Sequence, residues 1–253
     1  MLSRYNGLSG VLISLQSRSA LHGFSLIEMM VASLVGLILL SGFTYIFSHT
    51  VKANADTLKS AHLHQELRAV MDIMIQDIRR SGYWSKAVCT INSNILWPET
   101  AADLCGGEVG QSNPFDIMTI NDDNTCILYS YDATPNGILD ITPNKADIPD
   151  ERFGFRLNGG AVEMRQAGAD CEAAGWQDIS DPRSIVITQL QFNSNKTSFT
   201  EIKKNLGHII SREIDILLQG QLKSDPGTER TIISGVHVRN DRFCPHASQC
   251  PGI

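Results

Sequence analysis

Residues 24–47 constrain this chain more than any other segment, because they contain no proline and only one charged residue, Glu28. At a helical rise of about 1.5 Å per residue, these 24 residues span roughly 36 Å, enough to cross a bilayer core of roughly 30 Å. A carboxylate one turn inside such a helix is costly in lipid and marks a functional position. If the chain is cut before Phe24, the new α-amine lies four residues from Glu28, on the same helix face. The amine can then compensate this carboxylate within one chain or between neighbours.

The residues around this position resemble a type IV prepilin (class III) signal: the small Gly23, the aromatic Phe24, the apolar Ser-Leu-Ile and then Glu28. The resemblance implies cleavage after Gly23 by a prepilin peptidase, methylation of the Phe24 amine, and registration of neighbouring subunits by Glu28. It also implies that the helix leaves the inner membrane for a filament. An uncleaved signal anchor over residues 24–47, carrying an exported domain, is the plainer alternative.

Three parts are predicted along the chain: a leader peptide at 1–23, a long helix at 24–82 whose first half (24–47) spans the membrane, and a β-rich head at 83–253. Beyond the span, residues 50–80 contain no proline or glycine. Leucine, valine, methionine and isoleucine recur there at three- and four-residue spacing, from Leu63 to Ile78, which predicts an amphipathic stripe packed on a sheet. Gly82 has the position of a helix cap.

The head carries strand and turn signals. Alternating or β-prone segments are found at 115–120, 126–131, 153–157, 161–165, 184–192, 208–222 and 230–238. Asn158-Gly159-Gly160 predicts a tight hairpin, residues 224–227 a second one, and the pattern within 184–192 a bulge. An antiparallel sheet laid on a long helix is an α+β arrangement, and the resemblance makes it the type IV pilin fold.

Charge indicates the orientation and excludes one class of partner. The leader contains Arg4 and Arg18 and no acid, so the mature chain carries about −8 where the whole chain carries −6. Basic residues before the span favour a cytoplasmic N-terminus, with the head in the periplasm and later on the cell-surface pilus. An acidic head argues against nonspecific binding of nucleic acid.

The six cysteines all lie beyond the membrane span, which favours disulfides in an oxidising periplasm. They are Cys89, Cys105, Cys126, Cys171, Cys244 and Cys250. Sequence alone leaves about fifteen connectivities open. We favour Cys244–Cys250 because it closes a short loop, Cys89–Cys105 by proximity, and Cys126–Cys171 by elimination.

Four segments of the mature chain resemble PilW-type minor pilins: residues 77–84, 126–132, 151–157 and 236–240. The resemblance implies a low-abundance, non-enzymatic subunit that helps prime pilus assembly near the tip, in pili that serve adhesion and twitching motility. Its partners would be other minor pilins, the major pilin and often a large tip adhesin. In this superfamily the subunit at the very tip can lack the glutamate, because no subunit above it supplies an amine. Since this chain has Glu28, the resemblance also implies that another subunit lies above it in the filament. A type II secretion pseudopilin, related to pseudopilin J, is the alternative.

Residues 132–140 form an acidic, glycine-containing segment that was compared with a calcium loop. Asp132, Asn136 and Asp140 fit positions 1, 5 and 9 of an EF-hand, and Gly137 fits the sharp turn, but the closing glutamate is replaced by Pro143. An acidic turn is the plainer interpretation, and no other cofactor is expected. A membrane-anchored calcium-binding module is thus a further alternative function. Since the sequence has no hydrolase, zinc-protease or P-loop motif, we do not expect an enzyme, and an anchored hydrolase is the last of the alternatives.

Overall fold

The computed structural model describes residues 23–90, 105, 111–141, 149–201 and 207–244. The chain divides into two compact units, Met1–Asn54 and Ala55–Ile253. In the first unit, every described residue is exposed and belongs to helix α1 or to the three residues before it. The second unit contains the remainder of α1 and all the described strands.

Helix α1 runs from Leu26 to Ile78, slightly shorter than predicted at both ends. At its start, the N–H of Met29 donates to the carbonyl of Ser25 over 3.1 Å. After its end the chain turns through Gly82, whose φ of 75° is a left-handed conformation that suits glycine. The Gly82 N–H donates to the Ser130 carbonyl and not to a carbonyl of α1, and Gly82 lies four residues beyond Ile78. Gly82 therefore turns the chain towards the first sheet, and the prediction that it caps the helix is wrong.

Nine strands lie in the described part of the second unit. They are β1 (Met118–Ile120), β2 (Cys126–Ser130), β3 (Arg152–Asn158), β4 (Ala161–Arg165), β5 (Trp176–Asp178), β6 (Ile185–Glu201), β7 (His208–Leu222), β8 (Asp225–His237) and β9 (Arg242–Cys244). The first five form one antiparallel sheet in the order β1-β2-β3-β4-β5. The second sheet has the order β6-β7-β8, and β9 also pairs with β7. A short 3₁₀ turn spans Ala87–Thr90.

Both predicted hairpins are confirmed, as β3–β4 and β7–β8, although the turn of the second lies at residues 223–224 and not at 224–227. Strand β6 shows a register shift between Ile187 and Gln189, where a bulge was predicted. The expectation of one sheet is wrong, because the strands divide into two. Strands β5 and β9 were also missed. Each has only three residues, too few for an alternating pattern to be visible.

The main core of the second unit joins the amphipathic stripe of α1 to both sheets. Leu63, Leu67, Val70, Met71, Met74 and Ile78 are buried, as their spacing predicts. They cluster with aromatic and aliphatic side chains of both sheets, including Tyr129, Phe155, Phe192 and Leu218. A smaller cluster contains Trp84, Cys89, Cys105 and Phe115, with Leu139 packed against it.

Candidate functional site

The residues predicted to be processed lie at the start of the described chain. Gly23 has no heavy atom within 4 Å of the place where a Cβ would stand. Phe24 precedes α1 by two residues and is 78% exposed, and Glu28 lies in the first turn of α1, also exposed. Among the residues that the structure describes, both neighbours of the Gly23–Phe24 bond are thus exposed.

The surface that follows Phe24 is apolar and uncovered. The large apolar side chains of residues 24–47 are 48–78% exposed. Their helix is long and apolar enough, by length and composition, to cross a membrane. Hydroxyls within it donate to carbonyls three or four residues earlier, as Ser33 does to Met30 and Thr44 to Leu40. Since polar groups are satisfied locally and apolar ones face outward, this surface suits lipid or other apolar helices.

The end of α1 is fastened to the first sheet by one carboxylate. Asp77 accepts hydrogen bonds from the hydroxyls of Tyr129 and Tyr131, over 2.5 and 2.8 Å. Tyr131 also stacks on Phe153, with ring centroids 4.0 Å apart. Burial and the Asp77 carboxylate together raise the pKa of Tyr129 well above its usual value, which keeps the phenol a hydrogen-bond donor.

Residues between β8 and β9 donate hydrogen bonds to the backbone carbonyls of the turn that follows α1. The side-chain amide of Asn240 donates to the carbonyls of Arg80 and Ser81, and the Arg239 N–H donates to Arg79. Helix ends leave unpaired carbonyls that need such partners. Residues 160 positions apart in sequence therefore hold the turn that follows α1, a contact that sequence reasoning did not find.

In the loop considered for calcium, Asp132, Asn136 and Asp140 lie close together. Asp132 is buried, and its carboxylate accepts backbone N–H groups of Ser85, Asn136 and Gly137 over 2.9–3.2 Å. The Asn136 side-chain amide donates to Asp140 over 2.8 Å. The oxygens of Asp132 thus face amide donors, as in an Asx-type turn.

A second buried carboxylate, Glu151, closes the same loop. From the sequence it was only one of three acids, with Asp147 and Asp150, that could supply a late calcium ligand. Its side chain accepts the N–H and the hydroxyl of Thr134 and the N–H of Asp140, over 2.9–3.1 Å. Among the described residues, no three His, Cys, Asp or Glu side chains are placed to hold a metal ion. This donor set fits a turn closed by its own amides, and calcium binding stays a prediction.

Two disulfides are present among the described residues. Cys89 pairs with Cys105, which brings the loop after the helix into the smaller cluster, and Cys126 pairs with Cys171, which joins the start of β2 to the loop before β5. Both were among the pairs favoured from the sequence. The pair Cys244–Cys250 lies outside the described residues, apart from the backbone of Cys244.

With this geometry in view, the chain was compared with known proteins. A family model described as prepilin peptidase-dependent protein B matches residues 56–238, which is most of the second unit. The chain belongs to this family. A second model, the prokaryotic N-terminal methylation motif, matches residues 18–44, the stretch that contains Gly23, Phe24 and Glu28.

One curated relative in this family is prepilin peptidase-dependent protein B of Escherichia coli (strain K12). It is 24% identical over 174 residues, which cover 67% of this chain and 76% of the relative. No solved structure matches the chain. Together, the family and the methylation motif identify a type IV pilin-like protein, and proteins of such families are structural rather than catalytic.

Proposed function

We propose that this protein is a minor pilin of the PilW type, which helps prime a type IV pilus and is incorporated near its tip. The observation that carries the proposal is the helix surface of residues 24–47. It is apolar and exposed, it holds the single carboxylate Glu28, and it lies within the match to the methylation motif. Such a surface is suited first to lipid and then to neighbouring helices.

The proposed processing creates the positively charged amine that pairs with the Glu28 carboxylate. The prepilin peptidase hydrolyses the peptide bond between Gly23 and Phe24, so that water supplies the new carboxyl group of Gly23 and the free amine of Phe24. A methyl group is then transferred from a donor held by the processing enzyme to that amine. In the assembling filament, the cationic amine of one subunit pairs with Glu28 of its neighbour, which removes the cost of an isolated carboxylate in an apolar environment.

The second unit is proposed to face the periplasm and then the pilus surface. Disulfides Cys89–Cys105 and Cys126–Cys171 suit an oxidising compartment. The proposed partners are the prepilin peptidase, other minor pilins, the major pilin and a tip adhesin, with the inner membrane as the site before assembly.

Pilus fractionation tests this proposal. In cells with a tagged chromosomal copy, we expect the mature chain in the sheared pilus fraction, cross-linked to other pilins, and few pili when the gene is deleted. Normal pilus numbers in the deletion strain would contradict the priming role. Co-fractionation with secretion components in place of pili would favour a type II secretion pseudopilin.

A calcium titration tests the other alternative, an anchored calcium-binding module. An unprocessed N-terminus together with a melting temperature that rises with calcium would favour that function. Asp140→Asn, which changes an Asp140 carboxylate already hydrogen-bonded by Asn136, should abolish such a rise if calcium uses this loop.

A further inference from the structure

Strand β8 forms one edge of the second sheet. It is 13 residues long and pairs with β7 on one side, and in the part of the chain that the structure describes no strand pairs with its other side. The edge strands of the first sheet, β1 and β5, have only three residues each. A long edge strand presents a row of backbone N–H and C=O groups with which another strand can pair.

The ladder between β7 and β8 shows which backbone groups of β8 point away from the sheet. The Val238 N–H donates to the Arg212 carbonyl over 2.9 Å, so these two residues are a hydrogen-bonded pair that continues the register of β7 and β8. Hydrogen-bonded and non-hydrogen-bonded pairs alternate along an antiparallel ladder. Every second residue of β8 therefore directs its backbone groups outward. These residues are Glu229, Thr231, Ile233, Gly235 and His237, and all five are exposed.

The part of β8 from Thr231 to His237 has none of the features that usually protect an edge strand. It contains no proline and no lysine, and its register with β7 is unbroken. In its middle, Ile233 is 69% exposed and lies opposite the half-buried Leu217 of β7. An unprotected edge with an exposed apolar side chain at its centre indicates a surface for strand pairing.

We propose that β8 pairs in antiparallel orientation with β8 of a second copy of this chain. The edge segment (residues 229–237) begins at Glu229, the first residue after a register shift, and ends at His237, the last residue of the strand. Pairing over this whole segment places a two-fold axis at Ile233. Ile233 then lies opposite its own copy, and Thr231 lies opposite Gly235. Five outward residues on each strand form about ten backbone hydrogen bonds in this arrangement.

The outward side chains of the edge segment are complementary to themselves in this register, which is the argument for a second copy as the partner. Glu229 lies opposite His237 at both ends, where the imidazole N–H can donate to the carboxylate whether or not the ring is charged. Ile233 meets Ile233, and apolar cross-strand pairs stabilise a sheet. A shift of two residues in either direction would place Ile233 opposite Glu229 or His237 and would shorten the ladder.

Disulfide cross-linking in membranes tests this pairing on the full chain, in cells that produce two differently tagged copies. Ile233→Cys places two cysteines opposite each other with Cα atoms about 5.5 Å apart, inside the range of about 4.4–6.8 Å that a disulfide spans. Thr231→Cys is the matched control, because it lies on the same exposed edge but about 14 Å from its own copy. With a mild oxidant, we expect Ile233→Cys to give about tenfold or more of a dimer that carries both tags than Thr231→Cys gives.

A double variant checks the register and replaces Ile233→Cys if that variant does not fold. Thr231→Cys and Gly235→Cys in one chain should cross-link two copies, whereas Gly235→Cys alone should not. A Cβ at Gly235 stands 3.0 Å from Glu213 Oε1 and 3.3 Å from Asp215 Oδ1, both at the ends of flexible side chains. Melting curves show that each variant is folded.

Two results of the cross-linking would overturn the proposal. The first is an equal amount of dimer from Ile233→Cys and from Thr231→Cys, or no dimer from either Ile233→Cys or the double variant. The second is a cross-linked product that carries a single tag, because that product would assign the edge segment to a different protein.

Self-association can also be measured without cysteines, by sedimentation of the full chain in detergent. Ile233→Lys places two like charges directly opposite each other and should raise the dissociation constant of the dimer about tenfold or more. Ile117→Lys is the matched control, because Ile117 is 60% exposed and lies outside β8. An equal dissociation constant for Ile233→Lys and the unmodified chain would contradict the pairing. Because these measurements need neither processing nor a pilus, their failure would leave the proposed assembly role untouched.

Discussion

The two halves of α1 are both rich in apolar residues, but they differ in what covers them. Between Leu63 and Ile78, six apolar residues form one stripe that packs against the two sheets, and each is at most 2% exposed. Between residues 24 and 47 the large apolar side chains are 48–78% exposed, with Glu28 as the one charge. The second half is therefore covered by the sheets of its own unit, whereas none of the residues that the structure describes covers the apolar side chains of the first half.

The largest expected effect is on cleavage of the bond between Gly23 and Phe24, which lies just before the exposed half of α1. Gly23→Leu places a bulky side chain beside the bond to be cut, and we expect the mature product to be lost completely, as judged by immunoblot of membranes. Gly36→Leu is the matched control, because Gly36 also has open space around it but lies inside the span. A mature-length product from Gly23→Leu would contradict the assigned cleavage position.

A second substitution asks whether the charge in the exposed half acts in assembly. Glu28→Ala should be cleaved nearly normally but should be strongly depleted from sheared pili, because the neighbouring amine loses its partner. Asp56→Ala, which alters a carboxylate farther along α1 that lies 3.8 Å from Lys59, serves as the control. Equal amounts of the Glu28→Ala and unmodified chains in pili would refute the registration role.

The contrast between covered and uncovered leucines can be measured as stability. Leu67→Ala removes a fully buried side chain and should lower the free energy of unfolding of the second unit by about 2–5 kcal/mol. Leu58→Ala, at a position that is 70% exposed on the same helix, should change it by less than about 0.5 kcal/mol. Denaturant titration in detergent measures both, and similar losses would show that the stripe is not what holds the helix to the sheets.

The smallest expected effect concerns the hydrogen bond from the Tyr129 hydroxyl to the Asp77 carboxylate. Burial raises the pKa of Tyr129 in the folded chain above its unfolded value of about 10, so the unfolded chain loses this proton first. Stability from the neutral phenol is therefore fully present below about pH 10 and falls as pH rises above it. Tyr129→Phe should cost about 1 kcal/mol at neutral pH and make the alkaline decline less steep. If the free energy of unfolding of Tyr129→Phe fell as steeply above pH 10 as that of the unmodified chain, the alkaline decline would be due to other groups.

Local pattern was enough to predict much of this fold. The stripe from Leu63 to Ile78 and the Asn158-Gly159-Gly160 hairpin depend on neighbouring residues only, so sequence spacing reveals them. The division into two sheets depends on which distant strands pair. Two further contacts are also long-range, and no periodic pattern in the sequence predicts them. Asn240 bonds to the turn after α1, and Asp116 pairs with Arg212 and Arg242.

The candidate sites divide in the same way. Gly23, Phe24 and Glu28 form a contiguous motif and were found from sequence, and their roles stay predictions that the substitutions above test. In the loop at Asp132, the spacing of oxygen-bearing residues suggested a cation, but sequence could not show that backbone amides face those oxygens. Glu151 lies outside the EF-hand spacing, so the sequence offered it only as a possible late ligand and not as the second buried carboxylate of the loop.

The most direct test is the intact mass, with N-terminal sequencing, of the protein extracted from its native membrane. We predict a chain that begins at Phe24 and carries one additional methyl group on its amine. A chain that keeps Met1, or that begins elsewhere, would contradict the processing on which the pilin function rests and would leave residues 24–47 as a simple anchor.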